Sequence, residues 1–396
     1  MTSVASPVET SSLPLARELA MTPSVSGNEE AAVRLVAAAM TGAGFDTVEI
    51  DAVGNAIGII GSGSGPRVLI DGHIDSIPLH SAERWSVDPF GGVIREGNLY
   101  GLGICDQKAS IAAAVHGVAE AHLQGRLGGR VAVVASVCEE EMEGQALRSV
   151  LSAFQPDVVI TSEPNDTRLA IGQRGRAKIE VTVVGRACHA GHAGEGLNAV
   201  EALTSLVEEA RRLEHPVHPD LGHRDLTCID FASWPYPSVS TVPGRAMARF
   251  DCRFLPGESP ESLVALLEGC ATRAWGDWTE RPALEVRLVR ATFSTWTGAS
   301  FDAAEFCHAW WTDAHSQPVI RAQAALAEIG LDPSPTHYSF CTNGSLSAGV
   351  LGIATLGFGV GVESGAHQVD EHVSLESLAA GQQGYAALAA HLSASR

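Results

Sequence analysis

Four short apolar runs in this sequence each lead into His, Asp or Glu residues, and that recurrence narrows the fold more than any other feature. Arg67 to Ile70 leads into Asp71-Gly72-His73-Ile74-Asp75, and Val131 to Val137 leads into three glutamates, Glu139 to Glu141. Asp157 to Thr161 ends in Ser162-Glu163-Pro164, and far downstream Ile353 to Val360 runs into a glycine-rich loop before His367. Unbroken apolar strands alternating with helical segments predict an α/β fold with a mainly parallel sheet covered by helices. In such sheets ligands bind beyond the carboxyl ends of the strands. That is where the His, Asp and Glu residues of this chain collect.

At 396 residues the chain exceeds what a single core usually serves, so two domains are expected. Helical spacing marks Leu13 to Ala20, Asn28 to Gly42 and Gln107 to Leu123, and Thr47 to Ile60 is rich in β-formers. Gly61 to Pro66 reads as a hairpin turn, because a phosphate loop would end in Gly-Lys-Ser/Thr and open a helix. Between Arg176 and Arg290 the texture changes. Lys178 to Val184, Ala246 to Phe254 and Leu284 to Val289 alternate like half-exposed strands, with helical segments Asn198 to Leu213 and Ser259 to Trp275 among them. Two helices on one face of an antiparallel sheet make a small α+β domain, residues 176–290, inserted into a larger domain of residues 1–175 and 291–396. Thr292 to Ser316 would return the chain to the larger domain, with Trp296, Trp310 and Trp311 expected to pack between the two domains rather than to form a ligand platform.

The formal net charge of −20 argues against nucleic acid or an anionic membrane surface as partner, since phosphate binding needs clustered Lys and Arg. No apolar run approaches the ~20 residues that span a bilayer. Met1 to Pro14 is polar and lacks a basic start, so no export signal and a cytoplasmic setting are expected. The eight cysteines are then expected to be reduced and mostly buried.

His73 and Asp75, two residues apart at a strand end, point to the same face, and a carboxylate there can accept one ring N–H and aim the other nitrogen at a metal. Alone, the pair fits a satisfied core histidine better. Glu139 to Glu141 fit the acidic first turn of a helix. Yet they follow an apolar strand, and adjacent carboxylates at a buried sheet edge repel unless a cation or proton compensates. Glu163 is in the same position. A divalent cation with mixed carboxylate and imidazole ligands would resolve both.

The wording around these residues resembles a family. DGHIDSIP (Asp71 to Pro78), WSVDPFGG (Trp85 to Gly92), LYGLGICDQK (Leu99 to Lys108), SVCEEEMEG (Ser136 to Gly144), SEPN (Ser162 to Asn165), CHAGHAGEGLNAV (Cys188 to Val200) and GFGVGVESGAHQVDEHV (Gly357 to Val373) stand in the order of the motifs of the di-zinc metallopeptidase superfamily. That superfamily includes aminoacylase, glutamate carboxypeptidase, acetylornithine deacetylase and succinyl-diaminopimelate desuccinylase. Within it the sequence looks closest to a bacterial branch of peptidases and selenium-metabolism hydrolases. The resemblance implies a zinc-peptidase-like catalytic domain with an inserted lid and dimerisation domain, in a homodimer. It implies two divalent ions per subunit, zinc by preference with cobalt or manganese as alternatives, one on His73, Asp106 and Glu163 and one on Asp106, Glu140 and His367. Glu139 would be the general base of amide hydrolysis and Asp75 the carboxylate that orients His73; a shift of one residue, with Glu140 as base and Glu141 as ligand, is the alternative. His189 would act as an oxyanion donor reaching into the partner subunit's site, and Arg253 would bind a substrate carboxylate. Asn198, Ser240 and Asn343 fall at further expected substrate contacts. Three positions depart from the family pattern: Leu102 between Gly101 and Gly103, Ser240 in place of Asn, and Asn343 after Thr342. The substrate would be an N-acyl amino acid or short peptide. An N-carbamoyl amino acid, a lyase or isomerase reaction, or an inactive binding role on the same fold are the alternatives.

Overall fold

The computed structural model describes residues 11–395; most of the segment on which the export-signal reading rests lies outside them. Two compact units are present. Of the described residues, the first comprises those through Gln173 together with Phe293–Phe301 and those from Trp311 onward.

The apolar runs form its centre. Strands Gly129–Ser136, Gly65–His73, Val158–Thr161 and Ala354–Gly357 lie side by side and all parallel. Ala56–Ile60 and Thr47–Ile50 extend one edge antiparallel, and Leu169–Gln173 pairs antiparallel with Ala354–Gly357 on the other. The central strands are buried on both faces. Val68 and Ile70 pack into the larger core cluster, while Leu69 between them packs on the opposite side with Ala132, Val134 and Val159. Each such fully buried side chain contributes about 1.5–3 kcal/mol. Continuous apolar sequence is therefore what this position demands. Helix Ala109–Leu123 covers one face together with the long C-terminal helix Leu375–Ser393. The approach is close because the helix carries glycines: a Cβ on Gly384 would overlap the Phe358 ring.

The expected hairpin at Gly61 to Pro66 is not one. Ala56–Ile60 and Gly65–His73 do not pair with each other; both pair with Gly129–Ser136, from opposite sides. The glycines instead let this loop pass close to the chain at Gly128, where a Cβ on Gly63 would meet the carbonyl oxygen.

The second unit comprises Arg174–Thr292 and Asp302–Trp310. Its antiparallel sheet runs Asp225–Trp234, Arg245–Phe254, Gly175–Val184, Ala283–Leu288. Helices Ala199–Arg211 and Pro260–Ala274 close a separate core that includes Ile179, Val181, Leu203, Leu206, Phe250 and Leu267. In Arg245–Phe254 every second residue is buried, the period-two pattern of a sheet packed on one face. The segment Thr292 to Ser316 is divided, contrary to the expectation that it returns to the first unit. Phe306 and Cys307 pair with Ala177 and Arg176 inside the second unit. Trp296 does stay in the first, donating its indole N–H to the Gly54 carbonyl at 3.2 Å. All eight cysteines are free thiols, and no helix among the described residues is long and apolar enough to cross a membrane.

Candidate metal centre

His73 is the last residue of its strand and is almost fully buried. Its Nε2 stands 3.1 Å from Asp106 Oδ1 and 3.9 Å from both Glu163 Oε2 and Glu139 Oε2. Its Nδ1 lies 3.1 Å from the Asp75 carbonyl oxygen and 3.5 Å from Asp75 Oδ1. Asp75, fully buried, does more than face His73. Its two carboxylate oxygens accept the backbone N–H groups of Glu139 and Glu140, each at 3.1 Å, and Oδ2 also accepts the Ser26 hydroxyl at 2.7 Å. One side chain thus ties the end of the strand Gly65–His73 to the turn after Gly129–Ser136. In that turn Cys138 has a left-handed φ of +62°, a conformation that non-glycine residues adopt mainly where the surroundings impose it. Its thiol turns away and donates to Glu29 Oε1 at 3.0 Å.

The three glutamates now separate. Glu139 is buried with its Oε1 lacking any hydrogen-bond partner, Glu140 faces His367 with Oε1 2.9 Å from Nε2, and Glu141 is exposed. His367, itself at a left-handed φ of +58°, also stands 3.3 Å from Asp106 Oδ2. Asp106 therefore lies between two histidines, one oxygen towards each. It is carried on the tight turn Ile104–Lys108 after Gly103, which has φ +74°. That turn is held by a residue the sequence reading did not single out. Buried Glu371 accepts the N–H groups of Gly103 and Cys105 at 2.8 Å and of Asp106 at 3.1 Å. Lys108, wholly buried, donates to the carbonyls of Thr22 and Leu102. Glu371 sits in the same quoted motif as His367, but a carboxylate that receives backbone N–H groups has no signature of its own in sequence.

The electrostatics follow from burial. Loss of solvent, with Glu163 nearby, pushes the Glu139 carboxyl well above the usual carboxylate range, and burial does the same to Glu163. Burial would push the His73 ring down, but the Asp106 and Asp75 carboxylates overcome it and raise it well above its ordinary value. Hydrogen bonds that the ring donates to the Asp106 and Glu140 carboxylates push His367 up to about 10. The carboxylates of Asp106, Glu139, Glu140 and Glu163 and the imidazoles of His73 and His367 thus crowd together beyond the carboxyl ends of the central strands. Their donor atoms fall into two groups, His73–Asp106–Glu163 and Asp106–Glu140–His367, in each of which one atom per residue lies within 4.8 Å of the others. Buried like charges of this density need a compensating cation or proton, and mixed carboxylate and imidazole donors suit zinc and similar divalent ions. The residues fit two such ions sharing Asp106.

The remaining expected site residues divide. Asn343 belongs to the first unit but is buried, and its amide is occupied. Nδ2 donates to Asp71 Oδ2 at 2.8 Å and Ser136 Oγ at 3.2 Å, while Oδ1 accepts the Gly144 N–H at 2.6 Å. It ties the ends of two neighbouring strands to the loop at Gly144, so the expectation that it contacts substrate is corrected. Asn198 caps helix Ala199–Arg211, accepting the Val200 N–H at 3.0 Å, a structural use of Asn at a helix start. Ser240 is exposed at φ +51°, and its carbonyl accepts the Ala190 N–H. His189 is exposed in the short strand Cys188–His189; its Nδ1 accepts the Gly191 N–H at 3.0 Å. Arg253 is partly buried on the strand Arg245–Phe254, with its Nε donating to Asp251 at 2.8 Å.

The sequence profile of the peptidase family M20/M25/M40 matches residues 69–391. The chain belongs to that family. The uncharacterized protein YgeY of Escherichia coli K12 is 30% identical over 366 residues, covering 90% of this chain and 88% of YgeY. Succinyl-diaminopimelate desuccinylase of Cereibacter sphaeroides is 27% identical over 386 residues, covering 92% of this chain and 94% of that enzyme. Among solved structures, the fold resembles aminopeptidase PepT of Bacillus cereus, with a TM-score of 0.76 at 17% identity over 97% of this chain and 98% of that one. It also resembles the Bacillus subtilis YXEP protein, described as a dinuclear metal-binding peptidase of the M20 family, with a TM-score of 0.70 at 15% identity, covering 97% and 98%. Membership of the M20 family makes the chain a metal-dependent hydrolase of amide or peptide bonds.

Proposed function

We propose that this M20 hydrolase removes the acyl group from an N-acyl amino acid, or splits a short peptide, using two zinc ions held by His73, Asp106, Glu140, Glu163 and His367. The observation that carries this reading is the pair of donor groups sharing Asp106 with the uncommitted carboxylate of Glu139 beside them. Two divalent cations held there would polarise the amide carbonyl and lower the pKa of a water enough for it to lose a proton and attack at neutral pH. Glu139 takes the proton from that water and delivers it to the leaving nitrogen. Asp75 keeps this apparatus aligned by holding His73 and both glutamate N–H groups at once. Arg253 binds the carboxylate next to the scissile nitrogen: Asp251 fixes its Nε, which leaves the terminal N–H groups for a second, bidentate partner. Release of amine from a panel of N-acyl amino acids, dipeptides and N-carbamoyl amino acids, with added zinc, cobalt or manganese, tests the reading. At least one N-acyl or dipeptide substrate should turn over with metal and stop with chelator, and the free acid should outrun its C-terminal amide. Release only from N-carbamoyl compounds would reassign the substrate. A metal-dependent elimination or isomerisation without amine release would overturn the hydrolytic reading.

The protein acts in this proposal as a homodimer. Asp225–Trp234 is the edge strand of its sheet and exposes Ile229, Phe231 and Trp234, an unpaired apolar edge of the kind that pairs with a second copy. His189 would complete the partner's site as an oxyanion donor. His189→Ala should keep both metals and lose ~10²–10³-fold in rate, and mixing it with the Glu139→Gln protein should restore part of the activity through hybrid dimers. A fully active monomer in sedimentation, or hybrids that stay inactive after proven subunit exchange, contradicts this.

A further inference from the structure

A cavity of about 380 Å³ opens beside His367 in the first unit, lined on its polar side by His80, Ser81, Arg84, Trp85, His367 and Gln368. The volume lies within the about 300–1,000 Å³ typical of small-molecule sites. A larger cavity of about 480 Å³ lies at Gly65 and Val158, the opposite ends of the same strands from His73 and Glu163, and has no part in the chemistry. The lining of the smaller one is unusual for this chain. Acidic residues outnumber basic ones 46 to 26, and four carboxylates crowd the neighbouring centre, yet no Asp or Glu lines this cavity. Its only permanent charge is the Arg84 guanidinium, which has no side-chain partner among the described residues. Hydroxyl and amide donors of Ser81 and Gln368 stand around it. Arg84 is presented by the single turn Ala82–Arg84, which Ser81 opens from a left-handed φ of +52°. Backbone held in that region by a non-glycine residue clusters at binding sites.

We propose that this cavity receives the acyl half of the substrate and that Arg84 binds a carboxylate carried at its far end. The inference rests on the hydrolase reading above, in which Arg253 takes the carboxylate of the amino-acid half. Because His367 forms one wall, a group bound there lies next to the carbonyl under attack. The preferred acyl groups are therefore those of dicarboxylic acids. A guanidinium recognises a carboxylate through two parallel N–H···O bonds, and the amide isostere of that carboxylate cannot match them.

The test uses the zinc-loaded full chain and its Arg84→Gln variant. Substrates are an N-succinyl amino acid, the same compound with the succinyl carboxylate replaced by a carboxamide, and the C-terminal amide of the parent. Binding of free succinate and of acetate is measured by calorimetry in parallel. Arg84→Gln should raise KM for the N-succinyl compound at least ~10-fold with kcat within about twofold, leave the carboxamide compound within about twofold, and weaken succinate but not acetate. Equal succinate binding by both proteins overturns the assignment, as does an equal loss on acid and carboxamide. A loss that follows the C-terminal carboxylate instead would move Arg84 to the amino-acid half and also overturns it. If succinate binding depends on Arg84 while no amide is cleaved by either protein, the cavity assignment stands and the hydrolase reading falls.

Discussion

Asp106→Ala is expected to release both metal ions and to stop turnover, the largest effect of any single substitution in this chain. Asp106 offers one oxygen to the side of His73 and the other to the side of His367, so its removal breaks both donor groups at once. What is then lost is the charge stabilisation and water activation of both cations, several kcal/mol in all. With about 1.36 kcal/mol per tenfold, the rate should fall by ~10⁴-fold or more. His73→Ala and His367→Ala each touch one group, so each should lower the metal content by about one ion per chain. Elemental analysis of the purified variants, read beside their activity, separates these cases. Asp106→Ala protein that keeps two ions and normal turnover would remove Asp106 from the centre.

Glu139→Gln is the complementary change, since it should leave the metals in place and remove the chemistry. The isosteric amide keeps the fold and the buried packing but can neither take nor return a proton. A positioned acid–base group is worth ~10²–10⁴-fold, and that is the loss expected in kcat. Glu140→Gln should instead weaken metal binding, because Glu140 pairs with His367. Glu141→Gln should change neither, since Glu141 is exposed. Metal loss in Glu139→Gln with full metal in Glu140→Gln would invert the two roles.

Much of the centre was legible in the sequence for one physical reason. A strand buried on both faces must be a continuous apolar run, so a charged residue at its end stands out sharply. His73, Glu139, Glu140 and Glu163 all follow such runs. Spatial neighbours that reach the site from loops carry no such contrast. Glu371 acts by accepting backbone N–H groups from the Asp106 turn, and nothing in its surroundings announces that geometry. Asn343 falls where the resemblance implies a substrate contact, whereas its amide is committed to Asp71, Ser136 and Gly144. The strand Asp225–Trp234 escaped notice because a register shift between Cys228 and Asp230 breaks its alternation, and a bulge of that kind hides the period of two. The Gly61 to Pro66 loop was misread because local turn chemistry says nothing of which strand lies beside which. A third strand, arriving from much later in the chain, separates the two that the loop joins.

The central claim is a centre of two ions that share Asp106. Anomalous scattering from crystals grown with zinc, recorded on both sides of the zinc edge, tests it without reference to any substrate. The account predicts two peaks in each chain, one among His73, Asp106 and Glu163 and the other among Asp106, Glu140 and His367. A single peak, or two peaks of which either lacks Asp106 as a ligand, would contradict it.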